Sequence, residues 1–255
     1  LHSRGIIFDD ISNPTLLTFL SSQSNDDIAS KFTSVDSILQ QYFKILLERE
    51  QERQSLPLKV DEQLSLMESV AGTMASFKQS TCTSVEIKDI IRMSLGEDIL
   101  EYLDRYSDFS KEDVPTEDEF LQKLSHHALL DRIPNTSNSI GFINDFIFGY
   151  LISEALTNNR LPDLSPKEIE EKYWNLMVTS YGTCSQKKRD ALYRIITDNK
   201  IEFTPYEELH TDLALLHKTS HEYIRCYYES VYFGENVSLT SSNFKDCVFS
   251  CCTFN

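Results

Sequence analysis

Four groups of residues have the types and spacings that chemistry would need. Residues 6–10, IIFDD, set two acids, Asp9 and Asp10, after an apolar triplet, as in a Walker B strand whose carboxylates hold Mg²⁺ and water for nucleotide hydrolysis. His217 and His221 stand four apart with Cys226 five residues on, a spacing at which helical side chains share a zinc ion. Asp113, Glu117, Asp118 and Glu119 gather carboxylates that suit a divalent cation. Cys184 and Cys226 are thiols that a histidine could activate.

Each group lacks its complement. No GxxxxGK[ST] occurs, so nothing cradles the phosphates that a Walker B strand would serve. The segment instead reads as a helix ending, a turn at Ser12 and Asn13, and a new helix with Pro14 in its first turn, where the missing N–H is harmless. HKTSHE is not H-E-x-x-H, and third and fourth zinc ligands are missing. The acids lack the D-x-D-x-D-G order of a calcium loop and fit the positive end of a helix at Thr116–Glu119. No nucleophile, base and orienting group can be placed together, so neither a catalytic nor a metal-binding set is assigned.

Charge and composition narrow the classes further. Forty acidic against twenty-four basic residues give −16, which repels a phosphate backbone and argues against nucleic acid as a partner. Hydrophobic content of 40% in 255 residues supports a real core. Six cysteines without regular pairing, and no signal, lipidation or membrane-spanning segment, fit a reducing cytoplasmic setting. The chain starts at Leu1 and its final residues interrupt a repeat, so it is expected to be a segment of a longer polypeptide.

The elements that must position these residues are mostly helical. Ser34 or Ser37 caps a long helix whose apolar face is Val35, Ile38, Leu39, Tyr42, Phe43, Ile45 and Leu46, with a tail of alternating charges (Glu48, Arg49, Glu50, Glu52, Arg53) expected to be solvated. After a break at Leu56–Pro57, residues 60–77 carry a stripe of Leu64, Met67, Val70, Ala71 and Met74, with Gly72 and Ala75 admitting a close neighbour. Thr83 or Ser84 caps a shorter helix that Gly96 ends, and another runs over 97–106. Beyond a linker with two prolines at 157–168, helices are expected over 167–181, 187–198 (inner face Ala191, Leu192, Ile195, Ile196) and 206–232.

The central stretch is 119–156. Phe120, Leu121, Leu124, Ala128 and Leu129 predict a helix ending near Leu130. Residues 131–139 are a polar, hairpin-like reversal, and Phe142–Leu156 reads as a helix buried on most of its circumference. At fifteen residues, with Asn144, Asp145 and Glu154 inside, it is too short and too charged to cross a bilayer.

This order, ending in FINDFIFGYLISEA, resembles the close of the winged-helix domain in NACHT-type STAND NTPases, where F-x-H-x-x-F-x-E-Y-x-x-A is usual. Phe142 and Tyr150 fall in register, whereas Asn144 replaces the histidine that senses nucleotide phosphates and Gly149 replaces the glutamate. SNPTLLTFL is similar to the family's helical lid, in which a proline matched by Pro14 packs near adenine. The resemblance implies Pro14 and Asn144 as cofactor-facing positions for ATP or ADP held by the parent protein, with none bound by this segment alone.

From Val237 a five-residue period appears: Leu239, Phe244, Phe249 and Phe254, with Val237, Ser242, Cys247 and Cys252 two before them. Neither helix nor ordinary strand repeats every five residues. The pattern resembles pentapeptide-repeat proteins, whose units form the sides of a square, right-handed β-helix. Cys247 and Cys252 then fill inward positions and Cys251 a corner.

The expected architecture is mainly α: a helical lid-like bundle (1–90), a winged-helix-like domain (91–156), a helical linker domain (157–235) and the first rungs of a right-handed quadrilateral β-helix (236–255). The resemblance implies a regulatory hinge in a signalling STAND NTPase, joining an upstream nucleotide-binding domain to downstream sensor repeats, with any hydrolysis in the upstream core. The alternative is an acidic, non-nucleotide adaptor whose helical domain and repeats engage a protein ligand.

Overall fold

The computed structural model describes residues 14–24, 34–109, 114–133, 139–161, 164–182 and 184–201, and six short strands between 222 and 254. The first part is mainly helical. In chain order come α1 (Pro14–Ser21), α2 (Val35–Gln54), α3 (Val60–Ser76), β1 (Thr81–Thr83), α4 (Ser84–Leu95), α5 (Asp98–Phe109), α6 (Glu117–Leu124), β2 (Leu130–Arg132), β3 (Ser139–Phe142) and α7 (Asp145–Thr157). A short 3-10 turn (Pro166–Glu168), α8 (Glu171–Gly182) and α9 (Gln186–Asp198) follow.

Helix starts are set by side chains that satisfy the otherwise unpaired first N–H groups. Ser34 and Ser37 exchange bonds at the start of α2, Thr83 and Glu86 at α4, and Thr116 and Glu119 at α6, each a reciprocal capping box. Gly96 leaves α4 with φ of 56°, a conformation that disfavours a Cβ. In α2 the buried face includes Leu47 and excludes Ile45, which is 40% exposed.

α7 lies at the centre, packed on α3 along one side and α8 along another, with α9 against both α7 and α8. It buries Ile147, Phe148, Tyr150, Leu151, Ile152 and Ala155. α8 supplies Tyr173, Trp174, Met177, Val178 and Tyr181. Each large apolar side chain among them contributes roughly 1.5–3 kcal/mol on leaving water. One continuous core runs from Leu16 to Ile196, so helices on both sides of the proline-containing linker share it.

Two glycines set the approach distances. A Cβ on Gly72 would stand 3.1 Å from Ala155 Cβ and overlap the tip of Leu161, as expected for a close helix pair. At Gly149 it would meet backbone: the Leu176 carbonyl carbon at 2.5 Å, with the carbonyl oxygen nearer still. α8 therefore rides on the bare backbone of α7.

Three sequence expectations are corrected. The helix expected to end near Leu130 stops at Leu124, and Leu130 opens β2. Five apolar residues are too few to separate a helical period from a turn followed by a strand. Phe142 belongs to β3, so the central helix begins at Asp145. The strands β2 and β3 pair antiparallel (Leu130 opposite Phe142), and β1 adds to the far edge of β3 (Cys82 opposite Ile140), giving the order β1-β3-β2. Third, the helix expected from Lys167 begins at Glu171, because Ile169 is extended (ψ 127°) and turns its side chain into the core.

The helix expected over 206–232 is likewise overturned where it can be followed; residues 202–221 lie outside the described part. Three strands, β4 (Glu222–Ile224), β5 (Tyr227–Glu229) and β6 (Tyr232–Phe233), pair in parallel with β7 (Asn243–Lys245), β8 (Val248–Ser250) and β9 (Thr253–Phe254). Tyr223, Tyr228 and Phe233 are the register partners of Phe244, Phe249 and Phe254, so the five-residue period extends upstream of Val237 and its two passes lie in register. Backbone pairing between passes, invisible to local periodicity, decides strand over helix.

Gly149→Ala should lower stability by about 1–3 kcal/mol in chemical denaturation, because overlap with a backbone carbonyl outweighs alanine's better helix propensity. Gly72→Ala should cost less, since the tip of Leu161 can move. A Gly149→Ala protein as stable as the natural one would contradict the packing of α8 on α7.

Candidate functional site

Pro14 is the first residue of α1, as its sequence context predicts. That helix packs on α2, with Phe19 edge-on to Tyr42 at 5.5 Å between ring centroids. Asn144 is the N-cap of α7: its Oδ1 accepts the Ile147 N–H at 2.8 Å from an extended backbone. The two candidate cofactor positions thus start separate helices, and Asn144 has a structural duty irrespective of any ligand. The position of Gly149, where the resembled pattern has glutamate, is occupied by the approach of α8.

Buried polar clusters, rather than those two residues, hold the concentrated electrostatics. At the end of α2, Glu50 is 1% exposed, against the expectation of a solvated charged tail. It accepts from Arg53 Nε (2.9 Å) and Nη2 (2.8 Å), from Gln54 Nε2, and from the Ala128 N–H (3.0 Å). The alternating charges within 48–53 gave no sign of this, because the deciding donor lies 78 residues away. Burial raises the Glu50 carboxyl pKa, but the bonds from Arg53 and Gln54 outweigh it and hold the group below the ordinary range.

Beside it, His127 is fully buried. Gln63 donates its amide to the carbonyls of Leu47 (3.3 Å) and Leu58 (3.0 Å), which leaves Gln63 Oε1 to accept from His127 Nε2 at 3.2 Å. His127 Nδ1 accepts the Leu129 N–H at 3.2 Å. Both ring nitrogens are therefore assigned in the neutral imidazole, and a second proton has no acceptor. Burial, with Glu50 opposing and Arg53 adding, pushes His127 down to about 4.

A second cluster joins α7, α9 and α2. Lys188 Nζ donates to Glu154 and to the Tyr150 hydroxyl and stands 3.9 Å from Asp36. Asp36 also accepts the Ser185 N–H at 2.7 Å. Burial first, then the Glu154 charge, pushes the Tyr150 and Tyr181 phenols far up, so both stay protonated. A third pair, Arg160 Nε to Glu68 Oε2 at 3.2 Å, ties the linker to α3, and burial, then Glu154, raises the Glu68 carboxyl.

Both described cysteines are buried and held as thiols. Burial, then Asp36, raises Cys184 well above its usual range, and burial, then Glu86, pushes Cys82 up to about 11. A cleft of about 300 Å³ between α3 and α5 is lined by Asp61, Glu62, Ser65, Ser69, Tyr102 and Arg160, with Glu62 held by Arg105 at 2.7 Å. Among the described residues no group of three or more His, Cys, Asp and Glu is placed to hold a metal, and no helix is long and apolar enough to cross a membrane. Asp9, Asp10, Asp113, His217, His221, Cys226, Cys247, Cys251 and Cys252 lie outside the described residues.

Compared with protein-family models, curated proteins and solved structures, the chain matches none.

His127 titrates near 4 when folded and at 6.5 when free, so the unfolded chain binds a proton over that window. Its share of stability is complete above pH 6.5 and is lost as pH falls to about 4, amounting to about 3 kcal/mol. Urea denaturation at pH 7 and pH 4.5 should show this loss. His127→Gln should remove most of the slope between those values, and an unchanged slope would refute the assignment.

Proposed function

We propose that this chain is a regulatory hinge segment of a signalling STAND NTPase, coupling an upstream nucleotide-binding core to downstream repeats. The observation that carries the reading is the order α3-β1-α4-α6-β2-β3 with an antiparallel β1-β3-β2 sheet. A helix, an edge strand, two further helices and a hairpin that pairs back onto the first strand is the connectivity of a winged helix, with α5 as an insertion. The wing strands are then β2 and β3, and the domain takes in α3, β1 and the start of α4, all upstream of residue 91.

Two further features support the reading. Pro14 opens a leucine-rich helix packed on a long tyrosine-bearing helix, as the lid resemblance requires. The parallel strand pairs at an offset of one pass, Tyr223 with Phe244 and Tyr228 with Phe249, suit two stacked coils of a pentapeptide β-helix. In this scheme ATP or ADP binds in the parent protein, the arm closes over it, and any hydrolysis belongs to the upstream core. Such a switch works by making different contacts in two states. With −16 net charge, the partners are protein segments rather than nucleic acid, in a cytoplasmic setting.

Calorimetry with ADP and ATP on the parent polypeptide, extended through its N-terminal neighbour, tests this. Pro14→Ala and Asn144→Ser should each weaken ADP binding several-fold; serine retains the N-cap, so weaker binding reports a lost amide contact rather than a frayed helix. If the extended chain binds no nucleotide, the hinge reading fails and an acidic adaptor of helical domain plus repeats replaces it.

A further inference from the structure

α9 joins the bundle differently from α7 and α8. Among its described side chains the buried apolar ones are Leu192 and Ile196, with Ile195 half-buried, against the five large side chains that α8 buries. A charge anchors it as well. Lys188 Nζ reaches Glu154 and the Tyr150 hydroxyl, lies 3.9 Å from Asp36 Oδ1, and sits 4.4 Å above the Tyr150 ring and 5.5 Å from that of Tyr181. The side chains of Asp36 and Glu154 are only 12% and 13% exposed. Because Asp36 also binds the Ser185 N–H, the first turn of α2 fixes both the loop entering α9 and the cation on its first turn.

We propose that Lys188 is the latch of a two-state element: α9 docks on α7 and α2 through this cation and undocks as a unit while α3, α7 and α8 stay folded. Apolar contact declines gradually with separation, whereas withdrawal of Lys188 takes the cation from two carboxylates that are mostly shielded from water, Asp36 and Glu154, and leaves Glu154 with the amide of Asn158 but no opposite charge. Partly undocked arrangements are therefore disfavoured, and the element is bistable rather than continuously deformable. The latch is independent of any nucleotide.

Hydrogen exchange read by mass spectrometry on the 255-residue chain tests it. In Lys188→Met, amides of 186–198 should exchange roughly a hundredfold faster, the consequence of leaving a buried ion unpaired. Amides of 60–76 and 145–157 should change less than about threefold. Unaltered exchange in α9, or acceleration shared equally by α3 and α7, overturns the latch. Should Lys188→Met not fold, native-state exchange of the natural chain in graded guanidinium decides. Exchange of α9 with a weaker denaturant dependence than α3 and α7 supports local undocking, and an equal dependence overturns it.

Discussion

The fold depends on the burial of α7 between α3 and α8. A helix that is apolar on nearly every side cannot remain in water, and its thirteen residues become stable only when neighbours cover it all round. The absence of a side chain at Gly149 lets the α8 backbone come close enough to do so, and Gly72 plays the lesser counterpart on α3. Across this seam the ring of Phe148 stacks on Phe142 and meets Tyr173 edge-on, at 5.0 and 5.8 Å between centroids. The hairpin, the capped helices and the linker are arranged around that sheathed helix.

Around this apolar centre, buried charges determine which neighbour sits where. Hydrophobic burial would accept several registers of α2 against the β2 hairpin, but Glu50 has a carboxylate that is satisfied only when Arg53, Gln54 and the Ala128 N–H converge on it. His127 and Gln63 add a second such condition, and Lys188 with Glu154 and Asp36 a third at the other end of the bundle. Such clusters add little net stability compared with apolar replacements, yet breaking one partner is costly. Their effect here is to penalise wrong dockings of helices that are far apart in sequence.

The proposed hinge and the latch on α9 draw on different parts of this arrangement. The hinge reading rests on connectivity, the pairing of β1, β3 and β2 around the helices. The latch rests on side-chain chemistry at one junction. Between them lies α7, whose N-cap is Asn144 and whose Tyr150 and Glu154 meet Lys188. The helix thus carries residues of both readings on one packed element.

Much of the local structure was legible in the residues alone. The caps Ser34 and Thr83 flank helices because their side-chain oxygens bind the nearest N–H groups, an interaction spanning three residues, whereas Asn144, expected inside a helix, proves to be the cap of α7. Pro14 at a helix start, the stripe on α3, the reversal between Asp131 and Ser139 and the five-residue period are equally local. Glu50 looked solvated and His127 passed unnoticed, since their partners lie 64 to 78 residues away. For the same reason local periodicity reads as helix where β4, β5 and β6 pair with a second pass of chain, and at Leu130, which opens β2. The sequence determined by itself what neighbours within a turn can satisfy. Only the tertiary structure decided the buried ion pairs, the strand pairings and the close seat of α8 on Gly149, because each requires groups that meet only once the chain has folded.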